Sequence, residues 1–154
     1  MKVVLDKNVI ISGLINVSGT PAQILNLLIN GKITLLYDSR ILKEYAEVLN
    51  RKKFGFKDSI VSPLLDYIRN EGEYVAADPV SKKLVDEDDK IFYEVAKTAK
   101  ARCIVTGNKD HFPREAIVRS PKEFIEMYLS EDEGRRVEAT YQIVGVDRQG
   151  LCWK

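Results

Sequence analysis

The residues in this sequence that are best suited to chemistry are carboxylates near the ends of predicted strands and the starts of predicted helices. Asp6 directly follows the apolar run Val3-Val4-Leu5, and Glu44 lies in the first half of a predicted helix. Three further acids cluster where another helix begins: Asp86, Asp88 and Asp89. Carboxylates that meet without a base repel one another, and their unpaired burial is costly. A divalent cation removes that conflict, and oxygen ligands favour Mg²⁺ or Mn²⁺, which can activate water for attack on a phosphodiester.

Each acid also has a purely structural interpretation. Asp86 is favoured as a helix N-cap, and Asp88 as a solvated acid in the first turn. For Asp89 the functional interpretation is favoured over the first-turn one. Glu44 is balanced between a ligand and a solvated helix residue, and Glu47 competes with it. Asp6 is the strongest candidate, because an aspartate at the end of a buried strand needs a partner.

These acids have to be positioned by alternating strands and helices. Apolar runs predict strands at residues 3–5, 33–37, 73–77 (an edge strand) and 102–106. Helical spacing and capping signals predict helices at 21–30, 40–50 and 58–71. A fourth helix should follow the acidic run at 86–89, and a fifth should extend from the Ser120 capping box to residue 129. This alternation predicts an α/β fold with a mainly parallel sheet. In such a sheet the strand ends share one rim, so Asp6 and the turn after Thr106 should meet there.

The end of the chain has a different pattern. Residues 130–136 are charged and contain Gly134, which is typical of a linker. Residues 137–146 alternate as a strand does, and 147–150 form a turn signal, so we expect a terminal β-hairpin. It could cover a sheet edge, which we favour, pair with another subunit, or form part of a partner site. The expected division is residues 1–129 as one domain and 130–154 as a linker and hairpin.

Composition excludes several classes of function. The chain has 154 residues with 24 Lys and Arg against 23 Asp and Glu, a net charge of +1, which argues against a protein that coats nucleic acid by charge alone. No apolar run approaches the ~20 residues of a membrane helix. The N-terminus lacks a signal-peptide pattern, and Cys103 and Cys152 form no close pair, so we expect a cytoplasmic protein without membrane contact.

Other catalytic motifs are missing from the sequence. There is no phosphate-binding loop and no dinucleotide fingerprint. The single histidine, His111, precedes Phe112-Pro113 and is favoured as a surface or packing residue, since no convincing catalytic triad can be built around it. The one basic cluster, Arg51-Lys52-Lys53 with Lys57, is favoured as a complement to a helix dipole over a contact with RNA phosphates.

Four motifs in order resemble the PIN-domain family over about residues 1–129, and specifically its VapC-like ribonuclease toxins of toxin–antitoxin systems. The motifs are V-V-L-D-K-N-V-I-I-S-G-L, I-L-K-E-Y-A-E-V-L, D-E-D-D-K-I-F-Y-E-V-A and C-I-V-T-G-N-K-D. The resemblance implies a Rossmann-like three-layer α/β/α sandwich. It also implies a metal-dependent endoribonuclease that uses Mg²⁺ or Mn²⁺, cleaves RNA, forms a homodimer and is blocked by a cognate antitoxin.

Carried over residue by residue, the resemblance implies that Asp6, Glu44 and Asp89 are the catalytic metal ligands. The fourth acid of the family falls on Asn108, which can ligate through its amide oxygen but brings no charge. Supporting roles fall to a final set of residues: Asn8, which would hold Asp6, and Thr106, Asp86 and Asp110, of which Asp110 could replace the missing acid only in a remodelled turn.

Lys7 is a second departure, because the family usually has Thr there. If the strand continues through Lys7, its side chain points away from Asp6, and this is the expectation. If the chain bends, the ammonium competes with a cation.

Three functions follow from these observations. The favoured one is a metal-dependent endoribonuclease. The second is a degenerate PIN domain that binds RNA or protein without cleavage, suggested by Asn108 and Lys7. A receiver-like signalling domain also gathers acids around Mg²⁺, but the order of its motifs is not found here.

Overall fold

The computed structural model describes the backbone of residues 1–144 and the side chains of residues 1–140. This part of the chain forms a five-stranded sheet and six α-helices. The strands are β1 Lys2–Leu5, β2 Thr34–Tyr37, β3 Glu73–Tyr74, β4 Cys103–Val105 and β5 Val118–Arg119. The helices are α1 Lys7–Ile15, α2 Thr20–Ile29, α3 Ser39–Leu49, α4 Asp58–Glu71, α5 Lys90–Ala99 and α6 Pro121–Val144. The predicted Rossmann-like α/β/α sandwich is thereby confirmed.

The sheet is parallel throughout and has the strand order β3-β2-β1-β4-β5. Strand β1 is central, and Val3, Val4 and Leu5 are completely buried, as expected for an apolar strand covered on both faces. From β1 the chain first builds the sheet in one direction, to β2 and β3, and later in the other, to β4 and β5. The topological switch point therefore lies beyond the carboxyl ends of β1 and β4, where open α/β sheets bind ligands.

Helix α1 was not predicted, and it changes the surroundings of Asp6. The run Val9-Ile10-Ile11 is continuously apolar and β-branched, which hides helical periodicity. The chain leaves β1 at Leu5 and begins α1 at Lys7, so Asp6 is the junction and N-cap residue, with φ −61° and ψ 143°. The helix packs closely on α2, because a Cβ added at Gly13 would lie 2.6 Å from Leu25 Cδ1.

The capping box predicted before the last helix is present. The Glu123 backbone N–H donates to Ser120 Oγ, and the Ser120 N–H donates to Glu123 Oε1, both at 3.1 Å. The helix predicted at 58–71 has those bounds in α4. Helix α2 begins at Thr20, one residue earlier than predicted, and Gly19 is its N-cap. Strand β5 was not predicted, because two residues carry too little pattern.

The predicted linker at 130–136 and the strand predicted from residue 137 are wrong over the described range, where α6 continues to Val144. Asp132 pairs with Arg135 at 3.4 Å and with Arg136 at 3.1 Å, which are spacings that stabilise a helix. Glu131 pairs with Arg102 just before β4. The remaining hairpin residues, including the turn at 147–150, lie outside the described residues, and a separate C-terminal unit stays a prediction. Across residues 1–144, no helix is both long and apolar enough to cross a membrane.

Tyr45 connects α3 to the end of β1 by a hydrogen bond, and removal of its hydroxyl should destabilise the fold. The fully buried hydroxyl donates a hydrogen bond to the Leu5 carbonyl. We expect Tyr45→Phe to lower the free energy of unfolding by about 1–2 kcal/mol, because a buried carbonyl loses its donor. Urea denaturation measures this change. Tyr74→Phe is the matched control, since Tyr74 is 58% exposed, and an equal loss in both variants would contradict the role of this bond.

Candidate metal centre

Asp6 is buried at the switch point with half of its carboxylate unsatisfied. Its backbone N–H donates to the Val105 carbonyl at 2.9 Å, which fixes it beside β4. The Thr106 hydroxyl donates to Asp6 Oδ2 at 2.8 Å. Oδ1 is also buried and has no hydrogen-bond partner among the described residues. Burial raises the pKa of Asp6, against the opposing effects of the Thr106 hydrogen bond, the Lys7 charge and the backbone amides of Asn8 and Lys7.

Asp38 shows how a structural aspartate is satisfied at the same rim. It follows β2 as Asp6 follows β1, and it is 6% exposed. Its Oδ1 accepts the Ile41 backbone N–H at 2.9 Å, which caps α3. Its Oδ2 accepts Arg40 Nε at 2.8 Å, and Arg40 also pairs with Glu94 at 2.8 Å. Both oxygens of Asp38 are thus used, whereas Asp6 keeps one oxygen available for a ligand.

Lys7 points into the acidic cluster, so the expectation that it points away from Asp6 was wrong. That expectation assumed a continuing strand, but Lys7 is the first residue of α1. Its Nζ lies 3.1 Å from Glu44 Oε1 and 3.9 Å from Asp89 Oδ1. Although burial opposes its charge, the hydrogen bond and charge of Glu44, with Asp89 and Asp6, raise the pKa of Lys7. The group is therefore an ammonium at neutral pH.

Asp89 is the most strongly perturbed acid of the cluster. It ends the 3₁₀ turn Glu87–Asp89 that leads into α5, and it is 3% exposed. Burial, followed by the charge of Asp6, raises the pKa of Asp89 to about 6, although Lys7 opposes this shift. Ionisation of this carboxylate is therefore unfavourable in the folded protein, and a cation beside it would favour the ionised form.

His111 lies on the other side of Asp89 and was not predicted as part of the site. Its Nδ1 is 3.2 Å from Asp89 Oδ2. Asp86, Asp89 and His111 each offer one ligand atom within 4.8 Å of the others, an arrangement that could hold a metal ion. Asp86 has the capping role favoured for it as well, because its Oδ1 accepts the Asp88 N–H at 3.0 Å. The available signal was the position of His111 three residues after Asn108, in the turn that follows β4.

Of the other predicted residues, Thr106 contacts this centre directly, whereas the side chains of the remaining three are exposed. Thr106 joins Asp6 to Asn108, because its Oγ1 also accepts the Asn108 backbone N–H at 3.0 Å. Asn108 itself is exposed at the start of a 3₁₀ turn, Lys109–His111. Asn8 is exposed and acts on the pKa of Asp6 through its backbone amide. Asp110 is exposed and lines a different cavity, of about 390 Å³, so it is not brought to the centre.

The donor set fits a hard divalent cation. Asp6, Glu44 and Asp89 are oxygen donors, and one oxygen of Asp6 is buried without a partner in the described structure. With Asp86, the four carboxylates and the Lys7 ammonium leave a net charge of −3 when all are ionised. A divalent ion would reduce that charge. Mg²⁺ and Mn²⁺ both suit carboxylate ligands with water, and His111 beside Asp89 is compatible with Mn²⁺.

Comparison with known proteins agrees with this geometry. The family described as PIN domain matches residues 2–110 of the chain. An uncharacterized protein of Methanocaldococcus jannaschii is 36% identical over an alignment that covers 83% of this chain and 92% of the relative. No solved structure matches the chain with comparable significance. The matched family segment contains Asp6, Glu44, Asp89 and Asn108, and it ends just before His111.

Neutralising Asp89 should stabilise the metal-free protein. Because the pKa of Asp89 is about 6 in the folded state and 3.8 for a solvated aspartate, the unfolded chain loses its proton first as pH rises. Ionisation therefore favours unfolding, and stability falls through that window by at most about 3 kcal/mol. We expect Asp89→Asn, in chelator, to be more stable than the wild type at pH 7 and equal to it near pH 3.5.

Chemical denaturation across pH 3.5 to 8 measures this difference. The control is Asp88→Asn, because Asp88 is the exposed neighbour in the same acidic run. A variant Asp89→Asn that is less stable than the wild type at pH 7 would contradict the cost assigned to the buried charge.

Proposed function

The chain belongs to the PIN-domain family, and from this premise we propose that it is a metal-dependent endoribonuclease that cleaves RNA phosphodiester bonds. PIN domains are generally metal-dependent nucleases, and they bind RNA. The observation that carries the proposal is the unpartnered Asp6 Oδ1, buried at the switch point and close enough to Asp89 for the charge of Asp6 to raise the pKa of Asp89. Burial of a carboxylate oxygen without a donor is costly, and a bound cation offsets that cost.

In this proposal Asp6, Glu44 and Asp89 hold Mg²⁺ or Mn²⁺, directly or through water, and Asn108 adds a neutral amide oxygen. When bound, the ion supplies an activated water and balances charge on the phosphate under attack. Thr106 has a positioning role, because its hydroxyl donates to Oδ2 and leaves Oδ1 as the oxygen that would bind an ion. The backbone amides of Lys7 and Asn8, at the start of α1, favour the ionised form of Asp6.

Asp89 also determines the pH range of the proposed site. With a pKa of about 6, its carboxylate is largely ionised only above that pH. Because a cation binds the ionised form, metal affinity should rise as pH increases through 6. Asp89 would then stay ionised beside a bound cation, because an adjacent positive charge favours the carboxylate.

The toxin role is the finer part of the proposal. It supposes a cognate antitoxin and a homodimer, and an apolar surface supports the presence of a protein partner. Exposed Ile29 and Ile60 border a cavity of about 290 Å³ whose other lining residues are also mainly apolar: Leu14, Leu25, Pro63, Leu64 and Tyr67. Apolar surface of this kind is typical of protein contacts. A small neighbouring reading frame whose product binds the chain and blocks cleavage would test this role.

A second function is favoured by a specific observation. Lys7 places an ammonium among the proposed ligands, and Asn108 lacks the charge of the fourth family acid. Both changes weaken the attraction for cations. The alternative is therefore a catalytically degenerate PIN domain that binds RNA or a protein.

Loss of Asp6 should abolish cleavage if the first function is correct. We expect the wild type to cut single-stranded RNA with Mn²⁺ or Mg²⁺ and to stop in chelator. Asp6→Asn should lower the rate at least about 100-fold, since ligand-held metal supplies several kcal/mol to such reactions. The measurement is cleavage of end-labelled RNA on denaturing gels. Asp66→Asn is the control, because Asp66 is exposed and pairs with Arg69. Cleavage that survives in Asp6→Asn would exclude the proposed site.

Asn108→Asp distinguishes the two functions. It adds a carboxylate two residues after Thr106, at the position of the fourth family acid. If the wild type is a weak nuclease, the variant should bind Mn²⁺ about tenfold more tightly and cleave faster, because an added charge strengthens a hard-ion site. RNA binding without cleavage by the wild type, with cleavage by Asn108→Asp, would instead establish the degenerate domain. Asp110→Asn should change neither property.

A further inference from the structure

Lys7 is held among the acids by the backbone as well as by charge. It is the first residue of α1, directly after the buried Asp6, so the start of the helix sets the direction of its side chain. Its Nζ contacts Glu44 on α3 at 3.1 Å and faces Asp89, before α5, at 3.9 Å. The side chain is only 15% exposed. A cation linked to the chain therefore lies between two of the three proposed metal ligands.

The contacts divide the acidic cluster into two parts. Glu44 is paired closely with Lys7, whereas Asp89 is shared between Lys7 on Oδ1 and His111 on Oδ2. Asp6 contributes an oxygen that has no partner in the described structure. The carboxylate oxygen left for an added cation is thus on Asp6, whereas Glu44 already faces a positive charge.

The charges lead to the same division. Asp6, Glu44, Asp86 and Asp89 together carry −4 when ionised, a charge that two divalent ions would neutralise. Lys7 reduces this to −3, so a second divalent ion would leave an excess of +1 in a largely buried place. Asn108, exposed at the rim, adds no charge to support a second ion.

We propose that Lys7 is a tethered cation that takes the place of a second divalent ion beside Glu44 and Asp89 and restricts this site to one divalent ion. This inference rests on the proposed function, because it assumes that the acids form a metal site. Lys7 is a positioning residue: it neutralises Glu44 and fixes the number of ions, and it need not contact substrate.

The test is a titration of the full chain with Mn²⁺ alone. Binding is measured by calorimetry and by the electron paramagnetic resonance signal of free Mn²⁺. The wild type should bind one Mn²⁺. Lys7→Met should bind a second ion, and a variant that still binds only one, however tightly, would contradict the proposal. Lys7→Arg, which keeps the charge, should resemble the wild type. Lys43→Met is the matched control, because Lys43 is the exposed lysine next to Glu44 in sequence.

Several results would overturn the inference. They are two ions in the wild type, no binding by any variant, a single ion in Lys7→Met, and a second ion in Lys43→Met, which would indicate a general charge effect. Should Lys7→Met fail to fold, as judged by its thermal transition, Lys7→Thr replaces it, and the wild-type stoichiometry still decides. A one-ion titration with the expected gain, but no RNA cleavage, would contradict the proposed function and leave the role of Lys7 intact.

Discussion

The repulsion among carboxylates at the end of the central strand is the constraint on which the rest of the site depends. Asp6 and Asp89 are both almost fully buried, and the charge of Asp6 is among the causes that raise the pKa of Asp89 to about 6. Such groups are retained in a fold only when something positive is close to them. Here Lys7 supplies one positive charge from within the chain, and the unpartnered oxygen of Asp6 leaves room for another from outside.

The fold creates this constraint through its topology. Because the sheet grows from β1 in both directions, the ends of β1 and β4 open on a crevice, and Asp6 and Thr106 lie at that point. Helix α1 begins immediately after Asp6 and brings Lys7 back over the crevice. The fully paired Asp38 at the end of β2 shows that the rim can also hold an acid for structural purposes. Position alone therefore does not distinguish a ligand from a cap; the state of its oxygens does.

Membership of a fold family does not by itself establish an activity, because function depends on the residues of the site. In this chain the acids that support metal binding coexist with Lys7 and Asn108, both of which reduce the negative charge of the site. The two changes act in the same direction, because both weaken the attraction for cations. His111 adds an imidazole to Asp89 on the side away from Lys7, so Asp89 lies between these two residues.

The sequence by itself determined the α/β class, the parallel sheet and most of the helices. It also singled out three acids as candidate metal ligands. Periodicity, capping and apolar runs are local properties, and local spacing is what decides whether a segment is a strand or a helix. Prediction from local spacing missed α1, because a continuous apolar run hides the helical period. It also gave a strand at residues 137–144, where the alternating pattern lies in a helix that the preceding charge pairs stabilise.

Only the tertiary structure decided which groups meet. The direction of Lys7 depends on where the strand ends, the approach of His111 to Asp89 depends on the turn after β4, and the free oxygen of Asp6 depends on the single donor that Thr106 provides. These are contacts between residues that are far apart in the chain. No local pattern encodes them, because distance in space is fixed only when all the elements pack together.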